Sequence, residues 1–557
     1  DGEFCRGDNL FSNPLNIQLL IYIDECEVVN PLGSKAGLHK ICVVYCTILN
    51  IPPKYRSTLA NCFLVAMFNA RDVKTYGYDD VMLPLVNDLI ELETVGVYIN
   101  SDVYSGIVKG SIAQLTGDNL GVNGICGFVE SFVGNYCCRH CKMHRNDLQY
   151  SLVEQQDLLR TRDNYEVDVL QNDPSQTGIK SSCPLNELHN FHVTKNFSPD
   201  IMHDLLEGVC SLEVHLVLAA LIEDNYFTLD LLNSRITSFD YGLCDLKNKP
   251  SVISASKLRN PDSAAHQKAA QMWCLIRHLP LLIGDKVPED NEYFELLLLL
   301  LDCMDIIFSY EVTVDDTYFL KHVIKDHHEH FLKLFPMRHL KPKHHFMTHY
   351  PRQIRMLGPL RHYWAMRFEA KHNFFKRLGH IVCNFRNILK TLSYRQQMYF
   401  CYNMIGGKNL VQRDQEVGPG SSILLANLEN GEILENLMGV QLMDDIYVAK
   451  WCVVHGQRYQ KNMVVITSKT DTLEPVFQRI VYVVCMENGI KLITEPFQIV
   501  KFDRHTHSYV VQKPVEEGIY SMTCIEDLLD FETYHAAKSY DQTQEPYLFI
   551  TLRHRIH

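Results

Sequence analysis

Short apolar runs, not helical stripes, dominate the first 120 or so residues. Residues 17–23 (IQLLIYI) read as a buried strand that stops at Asp24, and Glu25 and Glu27 add to an acidic cluster ahead of the turn residues Asn30, Pro31, Leu32 and Gly33. Residues 39–50 (HKICVVYCTILN) and 61–68 (NCFLVAMF) predict two further strands. Residues 80–93 predict a helix with Asp79 or Asp80 near its cap. A fourth strand-like run, 105–115, ends at Gly117, Asp118 and Asn119.

The period changes further along. Residues 145–199 are polar and poorly periodic, which predicts a loop or hinge. Residues 199–220 predict a helix with Pro199 in its first turn. There Asp200, His203, Asp204 and Glu207 recur at i, i+3, i+4 and i+7. This grouping fits a metal site, a support behind other acids, or acids placed for the helix dipole. Residues 265–335 predict more helices, including the apolar run ELLLLLLDCMDIIFSY. At about 100° per residue, Trp364, Phe368, Phe375, Leu378 and Val382 share one face of a helix, and Glu369, Asn373, Lys376 and His380 lie opposite. Lys371 falls on the apolar side, where its stem must snorkel out. After the linker-like residues 412–422, closely spaced strand patterns (IYVAKWCVV, RYQKNMVVIT, FQRIVYVVCM, IKLITEPFQIV, HSYVVQ) predict a small β-barrel or sandwich. Residues 516–557 carry no clear period.

Size and composition fit a globular protein: 557 residues with 46% hydrophobic content predict three or four domains. The apolar runs at 216–222 and 296–301 fall short of the roughly 20 residues of a membrane span, so no membrane partner is expected. The first residues lack the basic start and apolar middle of a signal peptide. Nineteen cysteines without such a signal predict reduced thiols, some of them holding metal. Charge sets one segment apart. Residues 321–400 hold 16 Lys and Arg against three acids (Asp326, Glu329, Glu369), while the whole chain is −13. A basic block of this size is the usual footprint of a phosphate backbone.

Candidate chemistry follows from the acids and the metal-type ligands. The order strand, strand, strand, helix, strand, with Asp24 closing the first strand and Asp118 following the last, is that of a ribonuclease-H-like core. A lone acid at a strand end often only caps a turn. Two of them, with Glu369 alone among cations on a later helix, suit phosphodiester chemistry, in which carboxylates hold a pair of Mg²⁺ or Mn²⁺ ions about 4 Å apart. Cys138 and Cys141 form a CxxC pair, which is half of a zinc site. The other half is expected in residues 341–349 (KPKHHFMTH), where His345 and His349 share a helical face and His344 is the alternative. Eleven of the 26 histidines lie between His322 and His380, so such a pair also arises by chance. Spacing favours the site, because Cys138 lies 20 residues after Asp118 and His349 lies 20 before Glu369.

The stretches YIDECEVVNPLGSKAGLHK, LTGDNLGVNGICGFVESF, CCRHC, SPDIMHDLLEGV, KPKHHFMTHYP and AMRFEAKHNFFKRL, in that order over most of residues 20–400, resemble DDE transposases of the CACTA (En/Spm) type. Relatives of that family include the catalytic subunit of the V(D)J recombinase. The resemblance implies an α/β fold: a ribonuclease-H-like core in residues 1–144 and 336–411 split by a hinge and α-helical insertion in 145–335, to which the strand pattern adds the linker and all-β domain in 412–557. It implies Asp24, Asp118 and Glu369 as metal-binding catalytic acids, with Glu27 the alternative first acid because it lies three residues before Asn30-Pro31. Cys138, Cys141, His345 and His349 become structural zinc ligands, and Asp200 and His203 a support behind the acids. Double-stranded DNA is the implied partner, with Arg361, Arg367, Lys376 and Arg377 on phosphate, a homodimer for paired-end chemistry, and nuclear residence. Such proteins usually carry a further N-terminal DNA-binding domain, so a truncated or domesticated copy is expected. The competing expectation is a non-catalytic nuclear protein that binds DNA or chromatin. A zinc hydrolase is a weaker third, since the HxxxH pair lacks the glutamate of HExxH.

Overall fold

The structure, a computed structural model, describes all residues except 1, 29–39, 57, 261–262, 384, 407–414, 488, 515–517 and 557, and not the side chain of 542. The predicted turn at Asn30 to Gly33 lies outside the described residues. The described chain is a mixed α/β protein with several sheets and many helices, and it divides into two compact units. One comprises Asp1–Val209 and Tyr310–Gln412, the other Cys210–Ser309 and Arg413–His557.

The first unit is built on a four-stranded sheet of β1 (Ile17–Glu27), β2 (Lys40–Ile48), β3 (Phe63–Asn69) and β4 (Gly110–Gly117), in the order β3-β2-β1-β4. Neighbours β1 and β2, and β2 and β3, are antiparallel, whereas β1 and β4 are parallel. Strand β4 is buried along its whole length and β2 along most of it, which is why both read as continuous runs instead of alternating ones. A parallel pair requires a long crossover. Helix α1 (Ala70–Thr94) supplies part of it. Gly77, at φ 81°, is non-helical and kinks the helix into two pieces, so that the second starts next to the predicted cap at Asp79 or Asp80 and a first piece from Ala70 precedes it. The predicted run 105–115 is two strands: Ser105–Val108 forms a hairpin with Val97–Asn100 before β4 starts.

Residues 145–199, expected to be a loop or hinge leading into the insertion, belong to the first unit, as does the start of the predicted helix up to Val209. Tyr165, Ile179, Cys183, Leu185, Leu188, Phe191, Val193 and Phe197 join the core made by Ile21, Val44 and Leu115. Their lack of period has a physical cause. The segment is fixed less by repeating faces than by polar side chains that satisfy buried backbone. The Asn196 amide donates to the carbonyls of Ile112 and Ala113, and buried Glu93 accepts from the amides of His189 and Asn190 and from the Ser111 hydroxyl. The first unit also contains α2 (Asn119–Ile125), α3 (Val314–Leu334), α4 (Pro342–Met347), α5 (Tyr350–Leu357), α6 (Met366–Val382) and α7 (Ile388–Ile405). Helix α3 thus lies outside the helical part of the second unit, although it was expected within the insertion.

The second unit combines helices Cys210–Glu223, Leu229–Ser238, Ala269–Ile283 and Glu292–Ile307 with the strands between residues 415 and 550. The hairpin of Pro475–Met486 and Gly489–Pro496 is the backbone of its largest sheet. Helical and strand segments, expected as separate domains, are joined by ion pairs. Arg553 bonds Asp245 and Glu532 in the interior, and Arg504 bonds Glu295 at the surface. The unreadable C-terminal residues hold short strands, Ser521–Cys524, Asp530–Tyr534 and Leu548–Ile550, that pair with strands earlier in the unit. Among the described residues, Met202–Glu223 is long and apolar enough to cross a membrane, and 67% of its apolar window is buried inside the protein.

Candidate active site and metal centre

Parallel pairing of β1 and β4 sets Ile23 opposite Gly117, so Asp24 and Asp118 follow side by side at the same end of the sheet. Gly117 makes this approach possible, since a Cβ there would lie 2.6 Å from the Ile23 carbonyl oxygen. Asp118 caps α2, its Oδ1 accepting from the Gly121 amide at 2.6 Å. Glu369 comes from the first turn of α6. That helix is brought to the sheet by three contacts. The Tyr22 and Phe368 rings stack at 4.5 Å, the Thr116 hydroxyl donates to the Tyr363 carbonyl at 2.8 Å, and bare Gly379 admits the Val28 carbonyl.

The three acids share one electrostatic neighbourhood. The Asp118 carboxyl is pushed up by burial first and then by the charges of Asp24 and Asp200, against the Gly121 amide and His203. The Tyr22 hydroxyl, next to Asp24, is pushed up by burial and by Asp24, Glu369 and Asp200 together. Burial also works against ionised Asp24, but hydrogen bonds from His372 at 3.1 Å and Tyr22 at 2.9 Å outweigh it and hold its carboxyl low. Glu27 stands three positions beyond Asp24 on the same strand, an odd step that sends its side chain to the other face. Glu27 therefore lies on the opposite face of β1 from Asp24.

Asp200 and His203 do stand behind Glu369. His203 Nδ1 lies 2.5 Å from Asp200 Oδ2, and its Nε2 lies 3.1 Å from Glu369 Oε1. Buried Asp200 also accepts from the Met202 and Ala365 amides, which ties this segment to the start of α6. Burial alone would lower His203, yet its bonds to Asp200 and Glu369 push it up to about 11. A histidine cation thus sits among Asp200, Glu207 and Glu369, a cluster with negative charge in excess. Glu207 Oε2 lies 3.9 Å from His203 Nε2, but Asp204 does not join this face, because residues Met202–Val209 wind in wide π-type turns. Asp204 turns into the core and accepts from Asn119 and Tyr350.

The basic residues divide. Arg367, Lys376 and Arg377 are exposed, but Arg361 is buried, its guanidinium 3.9 Å from the Tyr310 ring centroid. Arg361 is spent on that aromatic contact and is not open to phosphate. Lys371 does not snorkel out; it stays buried and donates to the Leu59 carbonyl at 3.0 Å.

Cys138, Cys141, His345 and His349 are all buried, and their ligand atoms lie within 4.8 Å of one another. Cys141 Sγ and His345 Nε2 are 3.2 Å apart, Cys138 Sγ and His349 Nε2 3.5 Å, and the two Nε2 atoms 3.2 Å. A tetrahedron with ligands at ~2.0–2.3 Å has edges of about 3.3–3.8 Å, so this donor set fits a metal ion. Burial opposes ionised Cys138, but the Cys141 thiol and the two histidines hold it low as a thiolate. His344, the alternative ligand, points elsewhere and packs on His328 and Phe331. A second buried group, Asp245, Cys274 and His278, could also hold an ion. There, however, Asp245 is already bonded to Arg277 and Arg553, two cations that a metal would have to displace.

Sequence reasoning missed the partners of these residues. Glu154 is buried and accepts from His349 Nδ1 at 2.6 Å and from Arg352 at 2.9 Å. His372 and Tyr22 bond Asp24. Glu154 lies in the stretch without period, where nothing marks it. His372 had a signal, being a histidine on the apolar face three residues after Glu369.

The described residues thus define a mixed α/β protein with an acid cluster at a sheet end and a buried Cys/His ligand group. No protein-family model matches the chain, and comparison with curated proteins finds no significant match.

Proposed function

We propose that the chain is a transposase-like polynucleotidyl transferase, with its four-stranded sheet and α6 forming a ribonuclease-H-like core. In this reading the helices of residues 210–309 are the insertion, and the strands after residue 415 a C-terminal β portion. The observation that carries it is the placement of Asp24 and Asp118 at adjacent ends of the parallel pair β1 and β4, with Glu369, from a distant segment, bonded to His203 and acting with Asp24 on the Tyr22 hydroxyl. These residues would hold divalent cations, Mg²⁺ or Mn²⁺, which when bound supply polarisation of the attacking oxygen and charge relief at the leaving one. Excess negative charge at the cluster, partly offset by His203, fits that role.

The chain's own residues then have distinct tasks. Asp24 and Asp118 are fixed at adjacent strand ends, and Glu369 is held from behind by His203 and Asp200. Exposed Arg367, Lys376 and Arg377 would lie along phosphates of double-stranded DNA and set its register. Water or a freed 3′-hydroxyl then attacks one phosphodiester while the bond to the departing oxygen breaks. The Cys/His group would hold zinc as a clamp between the CxxC segment and helices α4 and α5. Its four places are filled by protein atoms, which leaves none for a reacting water. Nuclear residence and a dimer on paired ends follow from this reading.

Supercoiled DNA nicking with Mn²⁺ tests it. The wild type is expected to give nicked circles with 3′-hydroxyl ends, and Asp118→Asn to lose at least about 10³-fold in rate, about 4 kcal/mol of barrier. DNA binding without nicking in the wild type would overturn the catalytic reading and leave a DNA-binding protein.

A further inference from the structure

His372 lies in the aromatic wall between α6 and the sheet, beside Tyr22, Tyr45, Phe368 and Phe375. An apolar ring would fill such a place without desolvating polar nitrogens. Instead both nitrogens are used. Nε2 lies 3.1 Å from Asp24 Oδ2, and Nδ1 lies 3.1 Å from the Tyr45 hydroxyl. The neutral ring satisfies both contacts in one tautomer only: Tyr45 donates to Nδ1, and Nε2–H donates to Asp24.

Asp24 is fixed in consequence. Its Oδ2 takes the His372 and Tyr22 protons, and its Oδ1 takes the Glu25 amide at 2.6 Å. Of about four lone-pair positions on a carboxylate, one on Oδ1 remains open. His372 also sits three residues after Glu369, so the same turn of α6 that presents the third acid grips the first.

We propose that His372, backed by Tyr45, is a positioning residue that locks Asp24 to α6 and so fixes the first acid relative to Glu369. Buried partners that orient metal-binding side chains typically change affinity by ~10–100-fold when removed. This role rests on reading Asp24 and Glu369 as ligands of a divalent cation.

Mn²⁺ binding to the full chain, followed by electron paramagnetic resonance, separates the two ideas. Wild type and Asp24→Asn test the site, while His372→Ala, His372→Gln and Tyr45→Phe test the lock. The expected result is Mn²⁺ binding that Asp24→Asn abolishes. His372→Ala should weaken it about 10–100-fold, Tyr45→Phe should weaken it less, and His372→Gln, which can still donate, should recover most of the loss. If His372→Ala fails to fold, Tyr45→Phe and His372→Gln decide. Asp24-dependent binding that stays within about twofold of wild type in every folded His372 and Tyr45 variant overturns the lock alone. Absence of Asp24-dependent binding in the wild type overturns the site and the lock together.

Discussion

The Cys/His group and the acid cluster lie in the same unit and use opposite physics. In the former, four ligand residues are each 2% exposed or less, and the acidic partner Glu154 is itself enclosed. In the latter, Asp24 is 18% exposed and Glu369 37%, and the nearest cation is a histidine. A closed ligand set welds chain segments together. An open one, charged in excess, can admit a cation and a phosphate at the same time. The difference teaches which site should respond to loss of stability and which to loss of chemistry.

The largest effect should separate them cleanly. Cys138→Ser, or removal of zinc by a chelator, is expected to cost the first unit on the order of 10 kcal/mol of metal-linked stability, read as a steep fall in melting temperature. Asp118→Asn should cost none. Asparagine still caps α2, and the Asp118 carboxyl is raised in the fold, so at neutral pH its charge opposes folding and its removal relieves that. A melting temperature that drops as far for Asp118→Asn as for Cys138→Ser would erase the distinction.

A smaller effect sharpens the closed side. Glu154→Gln keeps the shape beside His349 but loses the carboxylate that holds its Nδ1 proton. Zinc affinity, measured by competition with a chromogenic chelator, is expected to fall about 10–100-fold, with nicking by the zinc-loaded protein unchanged.

The smallest effect lies outside both sites and must be separated from them in any pH titration. His507 of the second unit is 3.0 Å from Asp305 and 4.0 Å from Asp302, with Arg504 also nearby. Burial lowers it, but the two aspartates win and raise it above its ordinary value. A raised histidine stabilises the fold fully below its unfolded pKa of about 6.5, and that contribution is lost as pH rises through the folded value. Stability of the second unit should therefore decline on the alkaline side of about pH 6.5, and His507→Gln should flatten the decline in urea titrations.

Legibility in the sequence followed the kind of force at work. Strands β1 and β2 were readable because burial writes continuous apolar runs, and half-buried β3 because its residues are apolar all the same. The cysteine and histidine ligands were readable because chemistry restricts the residue types and because His345 on α4 and His349 in the turn before α5 stay four positions apart on one side. Asp24, Asp118 and Glu369 could be picked out as acids at element ends; the structure sets the first two at adjacent strand ends and the third against His203. What could not be read depended on pairing across the chain. Residues 145–199 pack into the core through side chains that serve distant backbone, such as Asn196 and Glu93, so their pattern resembled a loop. Arg361 counted as one cation in a basic block, although Tyr310, 51 positions away, takes its guanidinium. The wide turns of Met202–Val209 likewise removed Asp204 from a face drawn at 100° per residue, although Asp200, His203 and Glu207 stay together.

Anomalous diffraction from crystals grown with Mn²⁺, recorded at the manganese and zinc edges, locates both ions in one experiment. Manganese is expected bounded by the carboxylates of Asp24, Asp118 and Glu369, and zinc bonded to Cys138, Cys141, His345 and His349. Manganese absent from the three acids would contradict this, and so would a zinc ion in their place.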